Sequence, residues 1–105
     1  MANDDIAMGP GKADLLEAIQ QAGSISAAGR ALGMSYKRAW DLVSIMNKSF
    51  KQVLINTSVG GGKGGGAQVT EFGLHILAQY RAIEAKTNLA VKDETKALMQ
   101  MLLDN

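Results

Sequence analysis

Cysteine is absent from the 105 residues, and histidine occurs once, as His75. A disulfide framework and a thiolate zinc site are therefore excluded, and histidine-based triads or metal clusters have almost no material. No apolar run approaches the roughly 18 residues that a membrane span needs. The opening stretch MANDDIAMGPGKAD carries acids where a signal peptide would carry bases. These absences predict a soluble, cytoplasmic protein without a membrane partner, metal site or cofactor. The length allows one domain with a modest core, and hence one small site or surface.

Charge is sparse in sum and uneven in place. The chain has a net charge of +1. From Arg30 to Lys63, however, the bases Arg30, Lys37, Arg38, Lys48, Lys51 and Lys63 face one acid, Asp41, so the span carries +5 and the remainder −4. A basic middle in a near-neutral chain points to a surface that meets a polyanion.

Residues 1 to 11 are polar, with Gly9, Pro10 and Gly11, and are expected to form a flexible arm ahead of a domain over 12 to 105. Leu15, Leu16, Ile19 and Ala22 recur at helical spacing, and Gly23 supplies a stop. SISAAGRALG offers Ser24 or Ser26 as a cap for a short second helix, with Ile25, Ala28 and Leu32 on one face. YKRAWDLVSIMNKSF predicts a third helix capped by Ser35. Its inward face is Ala39, Val43, Met46 and Phe50, which turns Lys37, Asp41, Ser44 and Lys48 outward, with Arg38 flanking them. Tyr36 and Trp40 fall on the shoulder of that helix and are expected at the core edge. Asp41 either accepts from a cytosine or pairs along the helix with Lys37 or Arg38, and the intrahelical pairing is favoured.

QVLINTSV and AQVT predict two strands of a hairpin whose tip, Gly60 to Gly66, holds six of the twelve glycines and Lys63. Thr70 can cap the last helix, in which Phe72, Ile76, Tyr80 and Ile83 share a face and Thr87, Val91, Leu98 and Leu102 could continue it. Unbroken to Leu103, this helix would run roughly 50 Å. It must therefore break near Thr87 and Asn88 or pack its far half on a second subunit. His75 is placed on its outer side.

The glycine tract satisfies G-x-G-x-x-G through Gly60, Gly62 and Gly65, but a phosphate loop must open directly into a helix, and here AQVT intervenes. Lys63 is followed by Gly64 rather than the Ser or Thr that holds magnesium. No general acid/base pair or metal cluster accompanies the glycines, so the chain is not expected to be an enzyme. A wing accounts for more. A tip without side chains approaches a nucleic-acid backbone closely and lets one lysine reach it. Gly29 and Gly33, four apart, suit the close crossing and the turn of a helix-turn-helix, and Ser35, Lys37 and Arg38 open the helix that follows. The order helix, short helix, helix, hairpin, long helix is that of a mainly α winged helix-turn-helix with a two-stranded wing and a carboxy-terminal helix suited to dimerisation. A module of the same fold that binds protein rather than DNA is the alternative.

GSISAAGRALGMSYKRAWDLV, from Gly23 to Val43, followed by GGGKGGGAQVTEFG, from Gly60 to Gly73, closely resembles the amino-terminal DNA-binding domain of the molybdate-responsive ModE regulators, relatives of the LysR-type domains. The similarity runs from about Leu15 to Ala85. It implies a homodimeric transcription factor whose third helix enters the major groove of double-stranded DNA and whose wing touches the flanking backbone. Carried over by motif, Ser35, Tyr36, Lys37 and Arg38 begin the reading helix, while Lys63 and its glycines form the wing. The DNA-facing candidates are Ser26, Ser35, Tyr36, Lys37, Arg38, Asp41, Lys63 and Gly64. In that family molybdate binds separate carboxy-terminal domains; the chain stops at Asn105, so direct molybdate binding is not expected of it. Gly29 stands where the family often has alanine, which weakens the second helix by ~1 kcal/mol. LINTS also lacks the arginine usual near the end of the first wing strand.

Overall fold

The computed structural model describes residues 7–58 and 66–103. Five helices and one hairpin follow the expected order: α1 Pro10–Ala22, α2 Ile25–Ala31, α3 Tyr36–Ser49, β1 Ile55–Ser58, β2 Gly66–Val69, α4 Glu71–Ala90 and α5 Lys92–Met99. This is the winged helix-turn-helix arrangement.

Helix α1 starts two residues earlier than its apolar spacing implied, inside the stretch assigned to the arm. Gly9 stands at its N-cap and Pro10 in its first turn, where the missing N–H costs nothing and the fixed φ favours the helix. Met8 packs against the core. At the other end Gly23 takes φ +77° and its N–H donates to the Ile19 carbonyl, a left-handed stop that glycine adopts without strain. Of the two serines offered as caps for α2, Ser24 serves: its hydroxyl accepts from the Ala27 N–H at 3.0 Å. Leu32, expected on the inner face of α2, lies just past the helix end and is exposed, as is Ala22 at the end of α1.

Leu15, Leu16 and Ile19 from α1, Met46 from α3, and Leu54 and Ile55 beside the wing form the fully buried centre. Leu42 joins Ala39, Val43 and Met46 on the buried face of α3, while Phe50 is half-buried and meets Phe72 edge to face, with ring centroids 6.4 Å apart. Thr70 caps α4 by accepting from the Gly73 N–H at 2.8 Å. In α4 the core contacts are Gly73 and Leu77, flanked by half-buried Phe72, Ile76 and Tyr80; Ile83 already faces outward. Arg81 ties α4 back to α1, donating to Asp14 at 2.8 Å and Glu17 at 2.6 Å, and within its own helix to Glu84 at 2.9 Å. The hydrogen bonds that Arg81 donates to Asp14, Glu84 and Glu17 push its pKa up, so the guanidinium stays charged.

The carboxy-terminal helix is not continuous. It breaks at Val91, a few residues beyond Thr87 and Asn88, where the backbone stands at φ −109° and ψ 19°. Asp93 and Glu94 in the first turn of α5 complement its N-terminal dipole. Neither proline nor glycine marks the break. Every residue from Ala85 to Leu103 is exposed, so this end of the chain covers none of the core.

Candidate nucleic-acid interface

The turn between α2 and α3 is built from backbone geometry. Gly33 takes φ +71°, a region L side chains resist. The Met34 N–H reaches back to the Gly29 carbonyl at 2.8 Å and the Gly33 N–H to the Arg30 carbonyl at 3.1 Å. A Cβ placed on Gly29 would stand 3.1 Å from the Ala39 Cβ, so the absence of a side chain there lets α3 cross α2 closely. Ser35 then caps α3, its hydroxyl accepting from the Arg38 N–H at 3.0 Å. A cap of this kind is worth about 1 kcal/mol, and it fixes where the reading helix begins.

From that start, Ser35, Tyr36, Lys37, Arg38 and Asp41 all fall in the first two turns of α3, and all are exposed. Lys37 pairs with Asp41 at 3.0 Å across one turn. Both side chains are largely solvated, so the pair holds the lysine by no more than about 0.3–0.5 kcal/mol and leaves it free to exchange partners. Lys48 in the last turn of α3 and Lys51 just past its end are exposed as well. Ser26 sits apart from this set, half-buried in α2, with its hydroxyl accepting from Arg30 Nη1 at 3.0 Å. Lys63 and Gly64, the wing-tip candidates, lie outside the described residues, as does the tip from 59 to 65.

Tyr36 corrects an expectation: it is 62% exposed and off the core edge. Trp40, 37% exposed, keeps the partly covered place expected of it, and the two rings pack on each other, with centroids 6.1 Å apart and planes at 65°. Both lie beside the core-facing arc that runs through Ala39, Leu42, Val43 and Met46.

The wing is fixed to the reading helix by a residue that sequence reasoning missed. The Asn47 side chain, on the last full turn of α3, accepts from the Leu54 N–H at 2.8 Å and the Ile55 N–H at 3.1 Å, and donates to the Ile55 carbonyl at 2.9 Å. One amide thus engages three backbone groups at the start of β1. Its signal in the sequence was slight: an asparagine four residues after the buried Val43, near the apolar face, where a polar side chain needs a partner. The strands pair antiparallel from Ile55 opposite Val69 to Ser58 opposite Gly66. On the other edge of β2 the Ala67 N–H donates to the Gly23 carbonyl at 2.9 Å, which docks the hairpin on the segment joining α1 and α2. Gly73 brings α4 under the wing so tightly that a Cβ there would collide with the Leu54 carbonyl oxygen and lie 2.8 Å from Val69 Cγ1.

Among the described residues no group of three or more His, Asp or Glu side chains is arranged to hold a metal ion, and no helix is long and apolar enough to cross a membrane. No protein-family model matches the chain. Among individual proteins, it is 43% identical over 77 residues to the molybdenum transport protein ModE of Azotobacter vinelandii, a match spanning 73% of this chain and 28% of that protein. To the DNA-binding transcriptional dual regulator ModE of Escherichia coli it is 38% identical over 71 residues, 68% of this chain and 27% of the other. The matched region therefore spans less than a third of the length of these relatives. Among solved structures, the DNA-binding domain of CbnR in complex with DNA superposes with a TM-score of 0.65 at 19% identity, over 87% of this chain and 99% of that one. At that identity the likeness concerns the fold.

Proposed function

The chain carries a ModE-type winged helix-turn-helix domain with a LysR-like fold, and from that premise we propose that it is a homodimeric, DNA-binding transcriptional regulator of molybdate-uptake or molybdenum-enzyme genes. The observation that carries DNA reading is the start of α3. A serine cap and a left-handed glycine present Lys37 and Arg38, exposed, on the first turn of the helix that packs across α2. In this fold that turn is the part that meets base edges and phosphates in the major groove. The link to molybdenum is supported by the names of the relatives.

In the proposed mechanism the domain occupies an operator and reads two symmetric half-sites about 34–36 Å apart. Lys37 and Arg38 contact bases or phosphates, Ser35 and Tyr36 border that contact, and Asp41 holds Lys37 until the duplex replaces it. Lys63, flanked by Gly64, anchors the wing on the neighbouring backbone. The pairing of two copies is supported by the apolar side chains that α4, α5 and the residues just after them leave in the open, among them Ile83, Leu89, Leu98, Met99 and Leu102. A monomer rarely exposes so many together without a partner for them.

The test is fluorescence anisotropy on a palindromic duplex from a molybdate-transporter promoter and on a scrambled duplex, each at two salt concentrations. The expected outcome is salt-dependent binding that favours the promoter duplex by ~10³-fold or more. Equal, weak binding to both duplexes would remove sequence reading. No binding at low salt would put a protein-interaction module in its place.

A further inference from the structure

An aromatic pair, Tyr36 wide open and Trp40 partly covered, stands on the element that carries the reading charge. Tyr36 and Trp40 touch each other edge to face, and neither belongs to the buried core. Helix stability does not account for them. Tyr and Trp are each poorer helix formers than Ala by about 0.5 kcal/mol, and an i,i+4 apolar pair returns only about 0.2–0.5 kcal/mol. The exposed Tyr36 ring thus returns little to the free domain, while Trp40 is the more covered of the two.

Their location is specific. At 100° per residue Tyr36 and Trp40 fall between the outward row of Lys37, Ser44 and Lys48 and the buried arc through Val43, on the same shoulder that carries Asn47 two turns on. Asn47 is the residue bonded to β1. The aromatic ledge therefore lies along the side of α3 that leads to the wing, bordered by basic side chains. A duplex held by Lys37 in the first turn and by the wing beyond would face this ledge with its major-groove edge. The one protruding apolar group on that edge is the 5-methyl of thymine.

We propose that Tyr36 and Trp40 form a specificity-determining ledge that reads thymine 5-methyl groups in the half-site. The inference rests on the DNA-reading function proposed above and adds what the helix reads there. An exposed ring face that closes over a methyl removes that methyl from water without needing a hydrogen bond, so it rewards thymine over cytosine and over uracil.

The experiment first selects duplexes from a random pool with the wild-type protein. Binding is then measured on the selected duplex and on versions in which each thymine in turn is replaced by deoxyuridine, which removes only the methyl. Wild type, Tyr36→Ala, Trp40→Ala and Tyr36→Phe are compared, with melting temperature and sedimentation as controls. The expected result is an about fourfold loss for each contacted methyl in wild type. That loss is confined to one or two positions per half-site, disappears in Tyr36→Ala and Trp40→Ala, and persists in Tyr36→Phe, whose ring remains. Deoxyuridine tolerated at every position, or variants that lose equally on thymine and deoxyuridine, would overturn the ledge. A change of oligomeric state in Tyr36→Ala would also overturn it, in favour of a contact with a second copy. Failure to select any sequence would overturn DNA reading itself, so the two failures are distinguishable; should Trp40→Ala not fold, the exposed Tyr36 carries the test alone.

Discussion

Lys37 and Gly73 show how differently single positions in this domain can matter. Lys37 makes one solvated ion pair with Asp41, so Lys37→Ala should leave stability within about 0.5 kcal/mol of wild type. Its effect belongs to binding: if the ammonium meets a phosphate, the salt dependence of DNA affinity falls by about one unit of slope, with similar loss on all sequences. An unchanged slope together with relaxed preference at one position would assign Lys37 to a base instead. Gly73 is the reverse case. A methyl there has no space between the Leu54 carbonyl and Val69, and the obstacles include backbone, which cannot rotate away. Gly73→Ala should cost roughly 3 kcal/mol, visible as a fall in melting temperature of about 10–20 °C. A stable Gly73→Ala variant would mean that α4 does not approach β1 as closely as described.

At the scale of elements, one amide ties the wing to the reading helix. Removing the Asn47 side chain strands two backbone N–H groups and one carbonyl at the start of β1. Asn47→Ala is expected to cost about 2 kcal/mol. In hydrogen exchange the Leu54 and Ile55 amides should lose protection while those of α1 and α2 keep theirs. Uniform loss would indicate that Asn47 supports the whole core rather than the wing.

The elements themselves were legible because their signals are local: apolar spacing in α1 and α3, serine and threonine caps at Ser24, Ser35 and Thr70, and glycine stops at Gly23 and Gly33. The Lys37–Asp41 pair was readable for the same reason, being one helical turn apart. What escaped depends on chain segments meeting in space. The partners of Asn47 lie seven and eight residues on, past the helix end, and the crowding at Gly73 comes from Leu54. The break at Val91 carries no glycine or proline. The openness of Tyr36 follows from where α3 happens to present its shoulder, and periodicity placed it there beside Trp40 without saying what that shoulder faces.

Across the whole molecule the two signs of charge have separate tasks. Arg81 gathers Asp14, Glu17 and Glu84 into a hub that clamps α4 on α1, while among the described residues Lys37 is the one base of α3 and the segment after it that makes an ion pair. A chain of net charge +1 can thereby keep a basic reading face. Beyond the hub, α4, α5 and the residues after α5 run on with Leu89, Leu98 and Leu102 in the open. If these side chains pair two copies, substitution there should spare the domain and sever the dimer. Leu89→Asp combined with Leu98→Asp removes no contact with the core, so the melting of the reading head should shift by no more than about 0.5 kcal/mol per site. Sedimentation should move from dimer to monomer. Affinity for a two-half-site duplex should fall by 10²-fold or more, roughly the advantage of linking two binding events, while affinity for a single half-site stays put. A wild-type chain that sediments as a monomer at micromolar concentration would reject this arrangement and leave the apolar end of the chain to a different partner.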